Sequence, residues 1–209
     1  MNRRSKIRAL VGVVGLAFGM YGSGAFAAIS GSAHDFRGDT WNVAGTEICN
    51  VCHTPHNATA AAGPLWNHAT SAVATYTVYD STQSSTLNAT VGQPQGISKL
   101  CLSCHDGTVA LENFGAVTTG ATLIGSLGTG NFEVGTDLSN DHPISFTYDA
   151  ALVTADGGGL NAPSATLPLF GIDQLECATC HDVHNKDGNA KLLRVANTGS
   201  ALCLTCHAK

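Results

Sequence analysis

Eight cysteines and nine histidines carry the chemistry of this 209-residue chain. The cysteines fall into four pairs of identical spacing, and a histidine follows each pair at once. The runs are Cys49-Asn-Val-Cys52-His53, Cys101-Leu-Ser-Cys104-His105, Cys177-Ala-Thr-Cys180-His181 and Cys203-Leu-Thr-Cys206-His207. At this histidine content, four such placements by chance have a likelihood of roughly 3 in a million, and the spacing is the attachment signature of c-type haem. Two thiols three positions apart share one face of a helical turn, so both can add to vinyl groups on adjacent edges of one porphyrin. The next residue then lies beneath the ring with its imidazole aimed at the iron as proximal ligand. The implied cofactor is covalent haem c with its iron, four per chain. Zinc ribbons use paired Cys-x-x-Cys without needing the histidine. Redox dithiols use one pair in a thioredoxin-like unit, so neither alternative accounts for four uniform motifs.

The opposite face of each iron decides between relay and catalyst. Met1 and Met20 both lie in the N-terminal segment expected to be removed, so histidine is the remaining strong ligand. Five histidines stand outside the motifs: His34, His56, His68, His142 and His184. His56 and His184 each lie three residues beyond a proximal histidine. Such a residue does not curl to the far face of its own ring but reaches a neighbouring one. His142 precedes Pro143, which imposes an extended backbone. His34 follows the expected mature terminus closely. These four are the expected distal ligands, and His68, beside Trp66, is the expected spare. Asp35, Asp141 and Asp182 stand near the candidates and could orient a ring N–H, although a solvated loop carboxylate is the commoner role. Two imidazoles per iron leave no open coordination site, so the expectation is electron transfer without catalysis.

The elements that must hold these residues are slight. Arg3, Arg4, Lys6 and Arg8 precede an apolar run from Ala9 to Met20, and Ala25-Phe26-Ala27 completes a secretory signal pattern. The expected organisation is a signal peptide at 1–27 and one tetrahaem domain at 28–209, exported and without a membrane span once mature. Removing 1–27 takes four of the 10 basic residues and none of the 15 acidic ones, which moves the net charge from −5 to −9. That balance argues against nucleic acid as a partner. With 24 glycines and 6% aromatic residues, a side-chain core would be thin. The pattern predicts a strand within 71–79, a turn at 81–86, a loop or short hairpin over 115–140 and a strand at 144–148. Gly157-Gly158-Gly159 should break the chain, and short helices should centre on the motifs, best after Cys101 and near Ala201. The expected fold class is a multihaem c-type cytochrome, mostly loop, with short α-helices at the motifs, small β-hairpins and a core formed by four haems.

The motif layout alternates long and plain, with 49–57 and 177–185 alike in carrying a second histidine. The runs CNVCHTPHN, PLWN, ATYTVY, CLSCHDG, DHPISF, CATCHDVHN and LCLTCHAK together resemble the outer-membrane cytochrome E type of tetrahaem extracellular cytochrome. The resemblance spans nearly the whole of 28–209. It implies stacked bis-histidine haems and protomers polymerised into extracellular filaments that pass electrons to external acceptors or other redox proteins. It further implies that His56 ligates a haem of the next subunit, with the haem on His181 as the candidate, and that His184 serves the haem on His207. Composition alone equally allows a soluble periplasmic shuttle. A multihaem oxyanion reductase would need one iron with an open face, and four uniform motifs with few basic residues count against it.

Overall fold

The computed structural model describes residues 29–208 except 44, 60–62, 64 and 129–131, so the expected signal peptide lies outside the described residues. The helices are α1 (Gly96–His105), α2 (Ala150–Asp156), α3 (Cys177–Cys180) and α4 (Ala201–Cys206). The strands are β1 (Thr77–Val78), β2 (Asp137–Leu138), β3 (Phe146–Thr147) and β4 (Gln174–Leu175). Turns and loops make up most of the rest.

Helical structure gathers where thiols must share a face. α1 contains the whole second motif, while α3 and α4 each end on the last cysteine of theirs. The first motif is a single turn in which the His53 N–H donates to the Cys49 carbonyl at 2.8 Å. His181 and His207 close the same bond onto Cys177 and Cys203, at 3.1 and 2.9 Å. One turn suffices because the spacing of the two cysteines matches its pitch.

The expected hairpins do not form. β1 pairs in parallel with β2, Thr77 opposite Asp137, which no tight turn can join. β3 and β4 are antiparallel, Phe146 opposite Leu175, but a long excursion through α2 separates them. The expected strand at 71–79 shrinks to two residues because side chains take its backbone groups. The Tyr76 N–H donates to Gln93 Oε1 at 2.7 Å and the Ser71 N–H to Ser103 Oγ at 3.3 Å. α2 arises where the pattern predicted no helix. Asp149 Oδ1 accepts from the Leu152 N–H at 2.9 Å, and Gly157 leaves the helix at φ 69°, where glycine carries no Cβ penalty.

Apolar burial is divided into three small clusters. Trp41, Val51, Leu111, Phe114 and Ile124 form the first, with Phe36, Cys52 and Cys104 packed on it. Tyr76, Leu102 and Leu138 form the second. Phe146, Tyr148 and Leu175 form the third, which Cys206 borders. Attachment cysteines therefore sit at the margins of the first and third. No helix among the described residues is long and apolar enough to cross a membrane.

Candidate haem sites

None of the eight cysteines is joined to another. Burial pushes Cys52 up to about 11, Cys104 up to about 12 and Cys180 up to about 11. Cys101 is also raised, chiefly by its hydrogen bond with Cys177, whose own thiol that bond lowers. A redox dithiol depends on a depressed thiol, and most of these are raised. The same contacts order the motifs in space. Cys52 and Cys104 pack on one cluster, α1 lies against α3 with Cys101 facing Cys177, and the charge of Cys206 is felt at Cys180. Each motif thus adjoins the next along the sequence.

Three of the four motif histidines face another imidazole. The ring centroids of His105 and His34 are 6.1 Å apart, those of His53 and His184 are 6.3 Å apart, and those of His207 and His142 are 6.3 Å apart. The interplanar angles are 51°, 12° and 76°. Two metal–imidazole bonds of about 2 Å, each extended by a ring radius of about 1.1 Å, would put coaxial centroids roughly 6.2 Å apart. The observed spacings leave room for such a group in all three pairs.

Other features fit the same group. His34 Nδ1 and the indole nitrogens of Trp41 and Trp66 are buried without a hydrogen-bond partner in the polypeptide. Such an atom costs about 1–3 kcal/mol. All three flank the first two motifs: Trp66 lies 6.3 Å from the His53 ring, and Phe36 bridges Trp41 to His34. A haem offers iron to imidazole and carboxylates to indole N–H groups. Burial, then the charges of His105 and His181, lower His34 to about 4, which keeps it a neutral lone-pair donor. Among the described residues, no three His, Cys, Asp or Glu side chains gather as one chelating cluster, so the donors meet in pairs rather than as a zinc tetrahedron.

Backbone carbonyls orient the rings. His105 Nδ1 lies 2.6 Å from the Phe132 oxygen, His181 Nδ1 3.0 Å from Lys191 and His142 Nδ1 2.9 Å from Pro143. A carbonyl only accepts, so each contact protonates Nδ1 and leaves Nε2 free. The acidic residues near the candidates behave differently from one another. Asp35 pairs with Arg37 at 2.6 Å, Asp141 leaves His142 to Pro143, and Asp182 Oδ1 lies 3.7 Å from His184 Nδ1. No spacing rule marks Phe132 or Lys191, because folding alone brings them to those rings.

The His184 ring stands against that of His53 and the His142 ring against that of His207, whereas the resemblance implied His184 for the haem on His207. The turn after His181 is fixed by Asp182, which accepts from the His184 N–H at 3.1 Å, and it carries His184 toward the first motif. His68 is 1% exposed. Its Nδ1 is 2.8 Å from the Ala69 oxygen and its Nε2 is 3.7 Å from Cys104 Sγ, so it abuts an attachment sulfur instead of another imidazole. Among the described residues no aromatic ring stacks on His181 or on His56, and His56 is exposed.

The family model of a doubled CXXCH motif matches residues 172–209, which hold the third and fourth motifs. No curated protein matches the chain. The doubled motif suggests a multihaem c-type cytochrome, and it is consistent with covalent haem attachment and electron transfer. Maturation of that kind implies an exported protein.

Proposed function

We propose that the chain binds four bis-histidine c-type haems and relays electrons as the subunit of an extracellular filament. The observation that carries this reading is the remainder left by the three histidine pairs. Among the described residues no ring stacks on His181 or on the exposed His56, although His181 lies within electrostatic reach of His34, and His68 is engaged inside the fold. One open proximal histidine and one spare donor are complementary between two copies of the chain. His56 of each copy would then complete the site on His181 of the next, and repetition of that contact generates an open head-to-tail polymer.

The bound group supplies a one-electron couple when each iron is held between two imidazoles. The polypeptide supplies attachment through Cys49 and Cys52, Cys101 and Cys104, Cys177 and Cys180, and Cys203 and Cys206. His53, His105, His181 and His207 would hold the four groups within their own motifs, and His184, His34, His56 of the next copy and His142 would supply the second imidazoles. With both faces taken, no iron position is left for a reactant, so the relay is not an enzyme. Respiratory electrons pass to external acceptors or other redox proteins.

Replacing His56 by Ala is expected to leave four covalent haems per chain by intact mass and to abolish filaments in negative-stain images. Normal filaments from His56→Ala would overturn the bridging role. Particles that stay monomeric in the unaltered protein would favour a soluble shuttle.

A further inference from the structure

The described residues contain three buried carboxylates, and their positions are not scattered. Asp106 is 2% exposed, Glu176 3% and Asp182 8%. Asp106 directly follows His105, Glu176 directly precedes Cys177, and Asp182 directly follows His181. All three therefore belong to the second and third motifs. The matching positions of the outer motifs are neutral: Ile48 and Thr54 around the first, Leu202 and Ala208 around the fourth. Glu47, near the first motif, is exposed and so screened by solvent.

The buried charges are held by hydroxyl and amide donors. Asp106 Oδ2 accepts from the Tyr76 hydroxyl at 2.6 Å, and Oδ1 from the Thr108 hydroxyl and N–H at 2.7 and 2.8 Å. Ser71 Oγ stands 3.0 Å from the Tyr76 hydroxyl and extends the network. The Glu176 side chain accepts from Ser98, from Ser145 at 3.0 Å and from the backbone of Thr179. No Lys or Arg among the described residues forms an ion pair with any of the three. Two basic groups on neighbouring segments are otherwise engaged. Lys99 donates to the Val73 carbonyl above the Tyr76 ring, and Arg194 donates to the Ala178 carbonyl. Uncompensated negative charge in a poorly screened interior acts over a longer range than surface charge.

We propose that Asp106 and Glu176 are potential-setting residues that make the centres on His105 and His181 the hardest of the four to reduce. The inference rests on the reading of haem at all four motifs. Reduction adds one electron to a ferric centre and removes one unit of positive charge, with no bond made or broken. A fixed carboxylate beside the centre stabilises the more positive, oxidised state and lowers the midpoint. Electrons then rest on the outer centres and cross the interior as a step of higher energy. Asp182 contributes as well, but it also lies against His184, which faces His53, so it acts on two centres and makes a poor probe.

The test is a spectroelectrochemical titration of the full-length, haem-loaded protein after its haem count is fixed by intact mass. Asp106→Asn is expected to raise one of the two lowest midpoints by about tenfold in the reduced-to-oxidised ratio at fixed potential, about 59 mV for a one-electron couple. Glu176→Gln should raise the other. Tyr76→Phe keeps the carboxylate but removes a donor that offsets its charge, so it should lower the midpoint that Asp106→Asn raises. A purely structural role for the network would not reverse sign between those two variants. Four-haem Asp106→Asn and Glu176→Gln proteins with unmoved low midpoints would overturn the proposal, as would an upward shift in Tyr76→Phe. If Asp106→Asn does not load haem, Glu176→Gln and Tyr76→Phe decide. Fewer than four haems in the unaltered protein would remove the reading beneath the proposal, and mass reveals that before any potential is measured.

Discussion

Imidazoles that face each other 6.1–6.3 Å apart assign a distinct consequence to each single replacement. His142→Ala removes the ring opposite His207 together with its Nδ1 contact to the Pro143 oxygen. One centre of four should become high-spin and bind carbon monoxide, with haem content unchanged; a fully low-spin spectrum would sink the assignment. His68→Ala should do the opposite. It deletes a buried ring beside Cys104, so stability falls, by about 2–4 kcal/mol on the scale of large-to-small core substitutions, while every centre stays low-spin. The twelve motif residues were legible in the sequence because attachment chemistry is local and fixes spacing within one turn. The pairing of rings was not, because it is a tertiary property. His184 sits in a motif tail yet faces a histidine far upstream, and no local pattern encodes that path. Two of the three buried carboxylates escaped notice for a related reason: Asp106 and Glu176 look like any loop acid until burial is known.

Short elements behave as local fasteners, and their stability lies in caps. α2 is the clearest case, since it carries no motif and buries no residue fully. Its start depends on Asp149 accepting the Leu152 N–H. Asp149→Ala should cost about 1 kcal/mol. For a chain of this size that corresponds to a fall in Tm of roughly 2–4 °C. Differential scanning calorimetry on the haem-loaded protein would measure it, and an unchanged Tm would show that packing of Leu152 and Val153 on the third cluster holds the helix without its cap. The glycine run was readable as a chain break, whereas the helix before it was not. A seven-residue element has too few turns for apolar periodicity to register, leaving the single Asp cap as its signal. The hairpins expected from alternation failed in the other direction. The apolar positions at 71–79 place Val73, Tyr76 and Val78 on the second cluster, and they do not name the partner strand.

At the scale of the whole molecule, the three small apolar clusters and four two-residue strands among the described residues leave little to hold the chain together without the proposed haems. Chain produced without haem attachment should therefore lack a cooperative thermal transition by calorimetry, and a sharp transition in that material would show a self-sufficient core. Assembly is governed by a different balance. The segment 28–209 carries a net charge of −9, and haem carboxylates add to it. Copies joined head to tail bring these like charges together, while the contact proposed between His56 and the site on His181 is a short-range bond that salt does not screen. Repulsion extends over a Debye length, about 30 Å at 0.01 M ionic strength and about 8 Å at 0.15 M. Raising salt between those limits should therefore lengthen filaments and speed their growth, as followed by light scattering. His56→Ala should stay unassembled across the whole range, because screening removes the repulsion without restoring the ligand. Growth that is indifferent to salt would mean that charge is neutralised at the junction by the pairing of opposed surfaces, and growth that weakens with salt would mean that attraction between such surfaces, rather than the imidazole, holds the polymer.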